Sequence, residues 1–441
     1  MKKIFSSLLA FLLMTPFMWS QSNKIKYVEY TLDNGLHVIL HEDHSTPIVA
    51  VSVMYHVGSK NENPERTGFA HFFEHLLFEG SENIARGEFD DYISKAGGRN
   101  NANTTQDRTF YYEILPSNHL ATALWLESER MLHAKVEEKG IETQRQVVKE
   151  ERRQRVDNQP YGSILEEIMK RAYREHPYKW VPIGSMDHLD AAEEEDYVNF
   201  YKEFYVPNNA VLSIAGDIDV KETKELISQY FATIPSGDGD IYRPDVQEPP
   251  LNGEVRDTIY DNIQLPGVIQ AYRIPAQGTP DYYALSMLGT VLSQGESSRL
   301  NKSVVDEQQL AVFTGNFPLG LEDPGVSIMF GITNMGVDPK DLENAIDAEV
   351  KKVQEELISE EEFQKLRNQI ENDFVSSNST MVGIAESLAN YHMYFGDADL
   401  INTEIDRYLK VTREDIRRVA REYYVPENRV VLFYMPKTTQ P

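Results

Sequence analysis

An α+β fold of two homologous domains, each a mostly antiparallel sheet with helices packed on one face, is predicted by three features of the sequence. Runs of β-branched residues alternate with segments of helical apolar spacing in both halves of the chain. Two stretches, "EEDYVNFYKEFYVPNNAVLSIAG" (194–216) and "REDIRRVAREYYVPENRVVLFYM" (413–435), match at a constant offset of 219 residues: Glu195, Tyr205, Pro207 and Asn209 correspond to Glu414, Tyr424, Pro426 and Asn428. A period that long marks a duplicated domain rather than a solenoid repeat. Finally, 441 residues are more than one hydrophobic core ordinarily serves.

Taken in order, residues 1–20, "MKKIFSSLLAFLLMTPFMWS", combine the Lys2/Lys3 head, a short apolar run and small residues near Ser20 of a secretory signal peptide. Ser6, Ser7, Thr15 and Pro16 interrupt the run too often for a membrane span. A periplasmic or secreted protein is therefore expected, with no stable membrane span. The first domain is expected over 23–234. It opens with two strands around Asp33-Asn34-Gly35, then the run "PIVAVSVMYHVG", a helix from about Thr67, the strand "DRTFYYEILP" and two helices, "HLATALWLESERMLHA" and "ETQRQVVKEERRQRV". Segment 235–254 is rich in Pro, Gly and Asp and reads as a linker; the second domain follows over 255–438.

The apolar fraction of 41%, with 24 tyrosines and 19 phenylalanines, supplies material for packed cores and excludes a disordered chain. A net charge of -27 excludes nucleic acid as a partner, because phosphate contacts need concentrated Lys and Arg. With no cysteine, the chain has neither disulfides nor a lipoprotein attachment site.

The chemistry concentrates in "GFAHFFEHLLFEGS" (68–81). On a helix, His71 and His75 lie one turn apart on the same face and Glu74 stands about 60° to one side. Two neutral imidazoles at that spacing can hold one Zn²⁺, and a carboxylate beside them can take a proton from a water the ion activates. The helix is apolar on nearly every side and so belongs in the interior, where three adjacent ionisable groups are costly unless something holds them. Zinc needs a third protein ligand. In "QRQVVKEERRQRV" the apolar face is marked by Val147 and Val148, and Glu151 falls at i+4 and i+3 from them, whereas Glu150 sits about 100° away. Glu151 is the better candidate. The matching helix of the second half, "YALSMLGTVLSQGESS", offers no ligand.

With these residues in place, the chain resembles the pitrilysin and mitochondrial processing peptidase family of inverzincins, in its half-length bacterial form. The likeness runs through "VGSKNENPERTGFAHFFEHLLFEGS", "AGGRNNANTTQDRTFYYEILP", "VVKEERRQRVDNQPYGS", "HPYKWVPIG" and the Tyr-Val-Pro repeat. The resemblance implies a mitochondrial processing peptidase-like fold and a zinc metalloendopeptidase with one Zn²⁺ per chain held by His71, His75 and Glu151. It makes Glu74 the general base, and it places unfolded peptide substrates along an edge strand at Asn101, Ala102 and Thr104. Two positions depart from the family pattern. Gln144 stands where an acidic residue often lies seven positions before the third ligand. After "SSRL", Val305 and Val312 occupy the positions of an Arg and a Tyr that grip substrate. The expected partner is therefore a related half-length chain supplying Arg and Tyr in a heterodimer, with a homodimer as the other arrangement. The alternative function is a non-catalytic peptide-binding or scaffold subunit.

Overall fold

The computed structural model describes residues 24–437. The leader expected over 1–20, and residues 23 and 438 at the outer limits of the expected domains, lie outside the described residues. Strands β1 (Val28–Thr31), β2 (His37–Glu42), β3 (Ile48–Tyr55), β4 (Arg99–Thr104), β5 (Thr109–Pro116) and β6 (Ala210–Gly216) form one sheet in the order β1-β2-β6-β3-β5-β4. Strands β7 (Val255–Asp261), β8 (Gly267–Arg273), β9 (Ala311–Leu319), β10 (Val326–Thr333) and β11 (Arg429–Pro436) form a second in the order β7-β11-β8-β10-β9. Each sheet is antiparallel except at one pair, β2 with β6 in the first and β7 with β11 in the second. The same exception at the same place is the mark of the duplication.

The repeated Tyr-Val-Pro segments explain why both halves close alike. Helices Glu194–Phe204 and Arg413–Tyr423 each end at a tyrosine, Tyr205 or Tyr424, buried in the core beneath the sheet. One turn of 3₁₀ helix follows, starting at the proline, whose fixed φ suits that position. The side chains of Asn209 and Asn428 then reach back to the last carbonyls, Phe204 O at 2.8 Å and Tyr423 O at 2.9 Å, satisfying groups the helix leaves orphaned. Between β1 and β2, Gly35 has φ of 88° and Asn34 Nδ2 donates to Phe231 O and Ile234 O.

Each domain's own helices pack on one face of its sheet, as expected, and a helix from the opposite half covers the other face. Helix Met381–Phe395 lays Ile384, Ala385, Leu388 and Ala389 on Ile39, Met54, Val211 and Ala215 of the first sheet. Helix Ile164–Ala172 lays Ile168, Met169 and Ala172 on Ile269, Ala271, Val430 and Leu432 of the second. This is why β3 and β6 are nearly continuous apolar runs rather than alternating ones. A buried ionic knot also crosses the seam: Lys60 reaches Asp107 at 3.1 Å and meets Glu322 and Asp323, while His56 and His176 each meet one of the same two carboxylates. No helix among the described residues is long and apolar enough to cross a membrane.

Candidate metal and catalytic site

The helix that carries the histidines, Phe69–Leu76, is entered through Gly68, whose φ of 97° suits a residue without a Cβ. A Cβ on the neighbouring Gly184 would stand 2.3 Å from the Gly68 Cα, so both glycines are required for that close approach. Phe69, Phe72 and Phe73 pack against Tyr197 and Phe200, fixing the helix rotation. With the aromatic face buried, His71 and His75 look out of the core toward helix Glu138–Arg152.

There the side chains converge. His75 Nε2 lies 3.1 Å and His71 Nε2 3.5 Å from the same oxygen of Glu151, and the two rings are 4.9 Å apart with planes at 79°. Burial, reinforced by His75 nearby, pushes the His71 imidazole down to about 4, so at neutral pH it is an uncharged ring with a free lone pair. The His75 hydrogen bond holds the Glu151 carboxyl below the ordinary range. The other ring nitrogen of His71, Nδ1, is buried and has no hydrogen-bond partner. Two imidazoles converging on one oxygen of an ionised carboxylate form a donor set that fits zinc. Glu151 is also held by Arg155 Nη1 at 2.7 Å from the π-helical turn Arg153–Asp157 that continues its helix.

Glu150 faces solvent, bound to Arg153 and Gln154. One of the two face markers differs from the sequence reading: Val147 is 43% exposed, and Val148, fully buried, alone marks the inward side. Glu151 shares that side with Val148 because three residues return to nearly the same face. Gln144 donates to Glu79, one turn beyond His75, and ties the two helices together.

Glu74 stands beside the histidines, with one ligand atom from each of the three residues within 4.8 Å of the others. Burial raises its carboxyl above the ordinary range, and a 2.6 Å hydrogen bond donated by Thr104 Oγ1 works against that rise. Thr104 ends β4, the open edge of the first sheet, where it pairs with Thr109. Side chains alternate along a strand, so Ala102, packed in the core, and Thr104 face the helix while Asn101 lies on the opposite face. The structure thus ties Thr104, the last residue of the open strand, to Glu74. Thr104→Val removes a hydrogen bond to a charged group, for which about 1.5–3 kcal/mol is typical. The expected result is a kcat lower by roughly tenfold or more with KM little changed, since 1.4 kcal/mol is a factor of ten; a role confined to substrate binding raises KM instead.

Sequence reasoning missed Glu62. Its fully buried carboxyl accepts Gly68 N–H at 2.9 Å and Ala70 N–H at 2.8 Å, capping the helix one turn before His71. The signal was its place in "NENPERTGFAH", six residues before the helix entrance. Burial pushes Glu62 up to about 8, outweighing the backbone N–H donors that pull it down. Glu62→Gln turns an NH₂ group toward one of those N–H donors and is expected to lower stability by about 1–3 kcal/mol. The proton held in the fold sets the sign with pH. The contribution of Glu62 is full below its ordinary value of 4.5 and is lost as pH rises through about 8. The stability gap between wild type and Glu62→Gln, measured by denaturant titration, should narrow across that window.

Two further histidines are held by contacts of their own. His176 accepts Tyr178 N–H and meets Asp323, and His188 Nδ1 lies 2.8 Å from the Thr67 hydroxyl beside the entrance to the histidine helix.

Residues 37–181 match the model of the Insulinase (Peptidase family M16) domain and residues 192–370 that of the Peptidase M16 inactive domain. The chain is 32% identical over 422 residues to the zinc protease PqqE of Helicobacter pylori, covering 95% of each. The crystal structure of a protease from Helicobacter pylori superposes with a TM-score of 0.89 at 31% identity, over 93% of this chain and 100% of that one. The periplasmic protease PqqL from Escherichia coli has the same fold, with a TM-score of 0.76 at 20% identity; the match covers 93% of this chain but 47% of PqqL.

Proposed function

The chain belongs to peptidase family M16, and on that premise we propose that it is a zinc metalloendopeptidase of unfolded peptides, with Glu74 as general base and His71, His75 and Glu151 as ligands. The observation that carries this reading is the convergence of two imidazoles on one Glu151 oxygen, with a second carboxylate, Glu74, beside them and outside that pairing. When bound, the ion supplies Lewis acidity that polarises a peptide carbonyl and acidifies water.

The protein's own groups do the rest. Glu74 takes the proton of the attacking water and returns it to the leaving amine. A carboxyl whose affinity for protons is raised by burial is suited to that task, and Thr104 keeps it aimed. The open edge of β4 offers unpaired backbone groups to an extended peptide, with Asn101, Ala102 and Thr104 along it, so main-chain pairing selects for unfolded segments.

The second half of the site is proposed to come from a related half-length chain. At the positions expected for Arg and Tyr, Val305 is half-buried and Val312 is exposed on the edge strand β9, and neither can grip a carbonyl. PqqL, of which this chain matches 47%, is long enough to hold two such units. An exported, periplasmic setting agrees with the leader-like residues 1–20 and with the description of PqqL as periplasmic. Cleavage of a quenched unstructured peptide should be weak for the chain alone and rise by at least roughly a hundredfold with a co-expressed relative carrying Arg and Tyr, the range that acid–base and positioning groups supply. Full activity from the isolated chain would remove the split-site reading. The same valines favour a second reading, a non-catalytic peptide-binding subunit, which predicts zinc binding without cleavage in any combination.

A further inference from the structure

A second cluster lies far from Glu74 in sequence, on the face of the first sheet covered by the second domain's helix. Glu29 on β1, His37 at the start of β2 and His392 in the last turn of helix Met381–Phe395 bring one ligand atom each to within 4.8 Å of one another. Thr31 is the cross-strand partner of His37, and Glu29, two residues before Thr31, shares its side of the sheet. His37 Nδ1 pairs with Thr31 Oγ1 at 3.1 Å, which leaves Nε2 directed at Glu29 Oε2, also 3.1 Å away. His392 Nδ1 is 3.8 Å from that same oxygen, beyond hydrogen-bond range. The two rings are stacked, centroids 3.4 Å apart and planes within 5°.

We propose that Glu29, His37 and His392 form a second divalent-cation site, distinct from the one at His71, that clamps the β1–β2 hairpin of the first domain to the helix of the second. Two imidazoles and a carboxylate are a zinc-type donor set, and water can complete the shell because the Glu29 carboxylate is 40% exposed. The Thr31 hydroxyl fixes the orientation of His37 as a supporting hydrogen bond does for metal-ligating imidazoles. Burial lowers the proton affinity of both rings, which favours the uncharged form that ligates. Coordination requires the stacked planes to fan apart at the edge facing Glu29, with the ion between the ring edges and the carboxylate. Packing and the His37–Glu29 hydrogen bond hold the cluster together without the ion, and the ion adds the link from Glu29 to His392, whose Nδ1 stands 3.8 Å from the carboxylate.

The test is zinc content of the full chain after equilibrium dialysis against buffered free Zn²⁺, read together with thermal midpoints. His392→Phe keeps a ring in the stack and removes the nitrogens. Wild type should hold two equivalents, His392→Phe one, Glu151→Gln one, and the double variant none. Zinc should raise the midpoint of Glu151→Gln and leave that of the double variant unchanged. His37→Phe should repeat the His392→Phe result. A single equivalent in wild type that Glu151→Gln abolishes and His392→Phe keeps, or two equivalents retained in His392→Phe, overturns the site. Loss of the Glu151-dependent equivalent bears only on the catalytic reading, so the two proposals fail separately.

Discussion

Glu74→Gln should abolish peptide hydrolysis while leaving zinc content unchanged. The amide keeps the size of the carboxylate and can still accept from Thr104 Oγ1, now 2.6 Å away, so the local packing survives. What it cannot do is take a proton. General acid–base groups contribute roughly 10²–10⁴-fold, and a variant deprived of the base should lose at least that much in kcat, with KM for the peptide nearly unchanged. Turnover on a quenched peptide, with metal content determined on the same sample, decides it. Retained turnover would remove Glu74 from its role, and loss of zinc would make it a ligand instead.

The second large effect separates two adjacent glutamates. Glu151→Gln should release the catalytic zinc equivalent and eliminate activity, because the carboxylate that both histidines approach loses its charge and leaves the buried His71 and the half-buried His75 poorly matched. Glu150→Gln should change neither, since Glu150 faces solvent and its contacts with Arg153 and Gln154 are of the exposed kind, worth about 0–1 kcal/mol. Metal content and peptide cleavage of the two variants in parallel give the answer. Equal behaviour would mean the helix is rotated away from the face that Val148 marks.

The histidine helix is readable in the sequence because its candidate ligands are close together in the chain: residue types at i, i+3 and i+4 already specify which side chains share a face. Glu151 is 76 positions beyond His75, and reading it depends on knowing which side of its helix is buried. Val148 supplies that side and Val147, although apolar, does not. A single exposed valine on an otherwise charged helix carries little weight, since apolar residues on surfaces are ordinary. The duplication is legible for a similar reason. Asn209 and Asn428 perform the same hydrogen-bonding task after the same helix, so the residues that the turn requires recur in both copies.

What escaped the sequence is tertiary. Glu62 caps a helix that starts only after an intervening loop, and no periodicity links it to Gly68 and Ala70. Thr104 reaches Glu74 across thirty residues because β4 and the helix fold onto one another, which the strand's own pattern does not encode. The exchange of helices between halves left one sign: β6 is buried along its whole length and β3 along all but its first residue, so both sheet faces had to be covered. Which helix would cover them depends on the complementary fit of Leu388 and Met169 against the sheet of the other half of the chain.

The central claim is that peptide hydrolysis depends on an ion held by His71, His75 and Glu151. It is tested most directly by following cleavage of a quenched unstructured peptide by the chain together with its related partner, before chelation, after chelation, and after zinc is returned to saturation. Cleavage lost on chelation and restored by zinc in wild type, but not restored in Glu151→Gln, is the predicted result. Cleavage that survives complete removal of zinc, or that Glu151→Gln recovers as well as wild type, would contradict it.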